Sequence, residues 1–179
     1  MSFWAIPSFA LPEPPALMVL SGSLAGGSDA PGVTPMVGDA ILAFSVTDGR
    51  LVGQGVVGRS SYQAIVTRTA SFNGSLVVLE LQQGKRRYSL LQPSGAIAAI
   101  RFQGKTLPDR TPLDLVLGRK TAELSDVEQA NPGAQRLSQR TDLPCDDTTD
   151  ANGDGVCDAA DFRILRLYGG GISRTIATP

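Results

Sequence analysis

Residues 38–57 read Gly38-Asp-Ala-Ile-Leu-Ala-Phe-Ser-Val-Thr-Asp-Gly-Arg-Leu-Val-Gly-Gln-Gly-Val-Val57. An apolar run runs into Asp48-Gly49, and residues 50–57 return. Asp-Gly between two such runs is a strong signal for a two-residue hairpin turn. Working outward, residues 60–69 alternate around Tyr62, Ala64 and Val66. Asn73-Gly74 marks a turn before residues 76–81, and Gln83-Gly84 turns into residues 87–91. Residues 96–102 follow, then Gly104, then residues 113–117; residues 16–24 supply an earlier strand. Short strands at this spacing, separated by Gly and Asn turns, predict an all-β body, an antiparallel β-sandwich of about seven to eight strands.

A different chemistry sits near the other end. Asp150-Ala-Asn-Gly-Asp-Gly-Val-Cys-Asp-Ala-Ala-Asp161 has the spacing of a calcium loop. Asp150, Asn152 and Asp154 take its first, third and fifth positions, and Gly155 stands where the chain must turn sharply. Val156 offers a backbone carbonyl, Asp158 acts directly or through water, and Asp161 closes the loop. A cation of this size takes roughly six to eight oxygens, and one segment with this spacing can wrap it. The competing reading is an acidic surface turn. Asp146, Asp147, Asp150, Asp154, Asp158 and Asp161 crowd one short stretch, however, and like charges held together without a cation repel. Calcium is the expected cofactor.

Cys145 and Cys157, the two cysteines of the chain, bracket this site. In one reading they form a disulfide that cyclises the loop and stabilises it by about 3 kcal/mol. In the other, Cys157 fills a small apolar pocket and Cys145 is incidental. The pairing is favoured, because both thiols belong to one site and calcium sites of this kind are commonest outside the cell.

Two resemblances follow from these residues. The text DANGDGVCDAADFRILRLY resembles a single dockerin-type repeat, with Asp161 where an EF-hand loop usually has Glu and a short apolar helix after it. It covers roughly residues 150–169; a dockerin carries two such repeats, and residues 121–143 hold Glu123, Asp126, Glu128 and Asp142 at other spacings. The resemblance implies calcium binding and docking to a cohesin-like β-sandwich. The pattern GDAILAF, DG, VGQGVV, Tyr62 and later LDLVL resembles small β-sandwich modules of secreted bacterial proteins.

Composition sets the limits. At 179 residues, with net charge −1, the chain can bury a core in one domain and carry a small appendage. It has no basic excess and no basic–aromatic interleaving, so no nucleic-acid partner is expected. It has no histidine. That removes the commonest general base and the Ser-His and Cys-His dyads. No glycosidase-like acid pair stands out either: Glu80 falls in a strand, and Asp109 and Asp114 lie near a turn. Residues 1–28 hold one charged side chain, Glu13. Without a positive n-region this arm is not a signal peptide. Pro7, Pro12, Pro14 and Pro15 interrupt it, so no membrane span is expected. Removal of a leader ahead of residue 1 would agree with the disulfide reading.

Smaller features divide between two readings each. Asn73-Gly-Ser75 fits a glycosylation acceptor, but an Asn-Gly turn explains it better. Lys85-Arg86-Arg87 could meet an anionic partner; a solvated strand end is the simpler reading. Phe3, Trp4 and Phe9 either stack on a ligand or partner, or pack the arm onto its own domain. Ser125-x-x-Glu128 is a weak helix-start signal, and Asn131-Pro-Gly133 breaks any helix.

The expected organisation is an apolar, Pro-rich arm (1–15), a β-sandwich (16–118), a connector (119–144) and a calcium loop–helix module with its tail (145–179). The expected function is a non-catalytic, extracellular or cell-surface calcium-binding structural protein. It would assemble or adhere as a subunit of a fibre or filament. Its partners would be other protein subunits, most simply copies of itself joined by exchange of the N-terminal arm. The second expectation is an anchoring or carbohydrate-binding module that docks to a cohesin-like partner.

Overall fold

Alternating apolar and polar residues give strands with one buried face, and continuous apolar runs give strands buried on both. Both kinds are present. The computed structural model describes residues 13–137 and Leu143. Its strands are β1 (Pro15–Gly22), β2 (Leu24–Ala25), β3 (Ala40–Ser45), β4 (Leu51–Val57), β5 (Tyr62–Thr69), β6 (Leu76–Gln83), β7 (Arg86–Leu91), β8 (Ala99–Arg101), β9 (Arg110–Pro112) and β10 (Leu115–Glu123), followed by a short helix α1 (Asp126–Ala130).

The all-β expectation holds. The strands form one mixed sheet, in the order β2-β10-β7-β6-β3-β4-β5-β1-β9 with β8 on β6. This sheet curls into a half-barrel in place of two separate sheets packed face to face. Two local causes act. The first is on β4, where a register shift falls opposite Ala43/Phe44. There Gly55 lets β5 come so close that a Cβ would lie 2.0 Å from the Gln63 carbonyl oxygen. The second is a parallel seam. β1 and β2 run beside β9 and β10 in one unbroken register, from Val19 opposite Arg110 to Ala25 opposite Val116. This seam ties the first strands of the chain to β9 and β10. Gly22 is required at the seam, since a Cβ there would stand 2.1 Å from the Leu113 carbonyl oxygen.

The concave side holds the main core, including Met18, Leu20, Ile41, Ala64, Val66, Leu79, Leu81, Leu90, Phe102 and Leu117. A second cluster lies on the opposite side of β3 and β6, from Leu42, Phe44, Val46, Leu76, Val78 and Leu143. These two strands are thus apolar on both faces, which is why AILAF and LVVLEL read as near-continuous apolar runs. Burying one such Phe or Leu side chain contributes roughly 1.5–3 kcal/mol.

Leu137 and Leu143 pack on that second cluster, and other residues past 118 join the body. β10 continues to Glu123. The Leu124 N–H donates to the Lys85 carbonyl, and the Leu137 N–H to the Gly49 carbonyl. The Ser125–Glu128 signal is realised as a full capping box on α1. Gln135 and Leu143 are buried. The compact body therefore takes in residues that composition alone suggests are a connector.

The Asp48-Gly49 turn is longer than two residues. Phe44 opposite Leu51 is the last pair of the β3–β4 ladder, and the Ser45 N–H donates to the Arg50 carbonyl. Val46 does not join the turn as a solvent residue because its N–H is bonded to the Leu76 carbonyl and its side chain is buried.

Candidate functional site

The residues expected to hold calcium, Asp150, Asn152, Asp154, Val156, Asp158 and Asp161, lie outside the described residues. So do Cys145, Cys157, Phe3, Trp4 and Phe9. Among the described residues, no group of three or more His, Cys, Asp or Glu side chains could hold a metal. Three arrangements within the body concern function.

The first is a buried ion pair. Arg87 and Glu80 alternate onto the same side of β7 and β6 as Leu42 and Phe44. The Arg87 Nη1 lies 3.2 Å from the Glu80 Oε2, with the two side chains 4% and 0% exposed. The guanidinium also stands 5.2 Å from the centre of the Phe44 ring. This corrects the solvated-strand-end reading for Arg87. In the Lys85-Arg86-Arg87 run, Arg86 is exposed and Lys85 pairs with Asp126 on α1. A strand of period two turns neighbouring residues to opposite sides, so a basic triplet cannot share one environment. The run offers no three-charge patch to an anionic partner.

The second arrangement closes the seam. Asp114 stands between β9 and β10. Its Oδ1 accepts from the Ser23 N–H at 2.8 Å and from the Ser23 hydroxyl at 2.7 Å. These two bonds hold the Asp114 carboxyl below its ordinary range. The Tyr62 hydroxyl donates to the Leu113 carbonyl at 2.7 Å. Burial pushes the Tyr62 phenol well above its ordinary value, and the nearby Asp114 charge adds to that rise. Tyr62 is therefore a neutral donor at physiological pH, and its role is to fix β5 to the seam. Asp109 lies away from this network, in an exposed pair with Lys105.

The third is a face that no described residue fully covers. The outward side chains of β1 are Leu17, Val19 and Ser21; those facing them from β5 are Thr67, Ile65 and Gln63. Gln54 and Val56 of β4 continue these rows. None is charged. Ile65 is 44% exposed and Val56 52% exposed. At one end the face runs into an open cleft of about 500 Å³, bounded by Ser21, Val56, Ser61, Tyr62, Gln63 and Arg110. Among the described residues, Arg110 is the one charged group on its wall. Sequence reading missed β9 because three residues around Pro112 carry no strand signal of their own. The alternation of residues 60–69 does reveal Gln63 and Ile65 as the outward set.

Asn73 serves the turn. Its Oδ1 accepts from the Gly104 N–H at 2.8 Å, and Gly74 takes φ +89°. This is the structural role expected of an Asn-Gly turn.

No family model matches the chain, and no curated protein matches it. Among solved structures, a double mutant of the shaft pilin SpaA from Lactobacillus rhamnosus GG is similar at 10% identity with a TM-score of 0.31. The match covers 59% of this chain and 52% of that one, so the chain spans about half the length of the structure it matches. Among the described residues, no helix is long and apolar enough to cross a membrane.

Proposed function

We propose that this chain is a non-catalytic, extracellular, calcium-binding structural protein that assembles with other protein subunits. One observation carries the calcium reading: oxygen-bearing residues at 150, 152, 154, 158 and 161, with Gly155 at the turn, follow the spacing a calcium loop needs. Calcium would fold the C-terminal module, because such a site does not exist in the unfolded chain and binding free energy becomes folding free energy. Cys145 and Cys157 would be joined beside it, in keeping with an oxidising compartment. The assembly reading is supported by a β body whose β1, β5 and β4 rows carry uncharged side chains and, among the described residues, leave Ile65 and Val56 exposed, and by an N-terminal arm whose one charged side chain is Glu13.

Calorimetric titration of the chelated protein with calcium tests the metal. One bound ion per chain is expected, and Asp154→Ala should abolish the heat. A silent titration of the unaltered protein would remove calcium from the account. Light scattering in calcium, and again after chelation, tests assembly: a mass above the monomer that falls on chelation supports it.

The second reading rests on the likeness of DANGDGVCDAADFRILRLY to a dockerin repeat. In that reading the C-terminal module anchors the chain to a cohesin-like partner, and the protein alone stays monomeric with and without calcium.

A further inference from the structure

The assembly reading leaves open where an N-terminal arm would bind. Strand addition needs an open sheet edge. Among the described residues, β3, β4 and β5 are paired on both sides, and β1 is paired with β5 on one side and with β9 and Lys105 on the other. The outer edge of β10 beyond Val116 has no partner strand among them. It carries Arg119, Lys120 and Glu123, and its ladder to β7 shifts register twice. Charges and bulges of this kind block added strands. The open edges of β8 and β9 are three residues long, so among the described residues an incoming arm meets no long, unguarded edge.

The convex sides of the sheet differ. Over β3 and β6 the second apolar cluster is covered by Leu137 and Leu143. Over β1, β5 and β4, Ile65 and Val56 are exposed and Val19 is partly so; the side chains of these three strands in those rows are uncharged, and Arg110 stands beside Val19 at the edge of the face. Residues 1–12, Met-Ser-Phe-Trp-Ala-Ile-Pro-Ser-Phe-Ala-Leu-Pro, are uncharged too and carry Phe3, Trp4, Ile6, Phe9 and Leu11. Face and arm are compatible in chemistry: the face sets Leu17, Val19, Ile65 and Val56 among uncharged Ser, Thr and Gln, the arm is mostly apolar, and no like-charged side chains oppose each other.

We propose that residues 1–12 of a second copy lie across the outward face of β1, β5 and β4, with one aromatic side chain in the cleft beside Arg110. This deepens the assembly reading and rests on it. Two observations select a second copy over the chain's own arm. Leu11, Glu13 and Pro14 each precede a proline, which biases all three to extended backbone. The arm's root is pinned, since the Glu13 Oε1 accepts from the Ser71 N–H at 2.7 Å. An extended, pinned root carries the arm away along the line of β1, and folding back onto the face would need a reversal where three residues disfavour it. Length suffices: twelve extended residues reach about 40 Å, and β1 with its eight residues spans about 26 Å. The cleft wall supplies an Arg beside an aromatic ring, an attractive pairing in its own right. Each copy offers one arm and one face, so contacts are either reciprocal in a dimer or head-to-tail in a chain.

Trp4 is the one tryptophan in the chain, so its fluorescence reports the arm alone. The full-length protein in calcium is diluted across a wide concentration range, with emission wavelength and light-scattering mass read together. The expected result is blue-shifted emission in an assembled state, moving red as the mass falls to that of the monomer. Ile65→Lys and Val56→Lys place a charge on exposed positions of the face, where the fold tolerates it. Each should raise the concentration for half-assembly by about tenfold or more. Val127→Lys, on exposed α1, is the control and should change nothing. Far-UV circular dichroism confirms that each variant is folded. An assembled protein whose Trp4 stays red, or whose assembly survives Ile65→Lys, overturns the face and leaves the assembly reading standing. A monomer at every concentration overturns both, and blue emission in that monomer would assign the face to the chain's own arm.

Discussion

Replacing Arg87 by Met removes the positive half of a pair that has almost no contact with water. The Nη1–Oε2 separation of 3.2 Å, with Glu80 fully buried, sets the scale. At an effective dielectric constant of about 20 the attraction is about 5 kcal/mol. Desolvation offsets much of that in the intact protein, so the pair itself adds little net stability. Breaking it is another matter, because Glu80 then stays behind as a buried carboxylate. The expected loss is about 3–5 kcal/mol. For a chain of this size that lowers the melting temperature by roughly 6–20 °C. Met preserves the apolar stem over Phe44, so packing loss is a minor part of the effect. The double variant Glu80→Leu with Arg87→Met carries no buried charge at either position and should recover most of the loss. Urea denaturation followed by circular dichroism measures all three proteins. A cost below about 1 kcal/mol for Arg87→Met would show that water reaches the pair. A double variant as unstable as the single would show that the carboxylate left behind is not the cause. Either result refutes the reasoning.

Three further outcomes check the seam and the curl. Tyr62→Phe removes the donor to the Leu113 carbonyl and should cost about 1 kcal/mol in the same urea assay. Because the Tyr62 phenol is raised in the folded state, its contribution is whole below the unfolded value near 10 and fades as pH rises beyond it; spectrophotometric titration should show Tyr62 ionising together with alkaline unfolding. The Asp114 carboxyl is lowered instead, so its contribution is present above the unfolded value of about 3.9 and is lost as pH falls through the folded one. Ser23→Ala removes one of its two bonds and should move the Asp114 carbon titration by NMR upward; an unmoved curve would deny the bond. Gly55→Ala should cost about 1–3 kcal/mol, since backbone of β5 stands in the way, whereas Gly26→Ala, whose Cβ would meet its nearest atom at 3.9 Å, should cost less than 1 kcal/mol or stabilise slightly, on the order of 0.5 kcal/mol.

Most strands were legible because they obey local rules. Residues 16–24, 50–57, 60–69, 76–81 and 87–91 each overlap observed strands to within a residue or two. The alternation in 62–66 even gave the correct inward set, Tyr62, Ala64 and Val66. What the sequence did not show is how the strands meet. The partner of residues 19–25 lies 91 positions further on, a parallel pairing that no turn signal announces. Curl depends on close approach at Gly55, and a glycine in a strand looks the same whether it admits a neighbouring backbone or only weakens the strand. Asp114 reads as a loop acid until Ser23 is seen beside it. Glu80 and Arg87 were each visible, but seven positions apart on two strands their meeting depends on the β6–β7 register, Gln82 opposite Arg87 and Glu80 opposite Ser89. The proposed calcium loop can be read from sequence for the opposite reason: a single segment would supply every ligand, so no tertiary pairing has to be known.

The two sides of the curled sheet place different demands on whatever lies over them. Over β3 and β6 an apolar cluster and an ion pair are buried together, and the cover, which includes Leu137 and Leu143, is part of the fold. That side cannot serve a reversible partner, since uncovering it would hydrate Phe44, Val78 and the Glu80–Arg87 pair at once. Over β1, β5 and β4 the same sheet shows Gln, Ser and Thr between its exposed Val and Ile residues. Such a surface tolerates water when bare and gains from contact when covered. If the protein assembles reversibly, this is the side that can bind and release without unfolding. The seam makes that possible, because Tyr62 and Asp114 hold β1 in place from its far edge whether or not anything rests on its face.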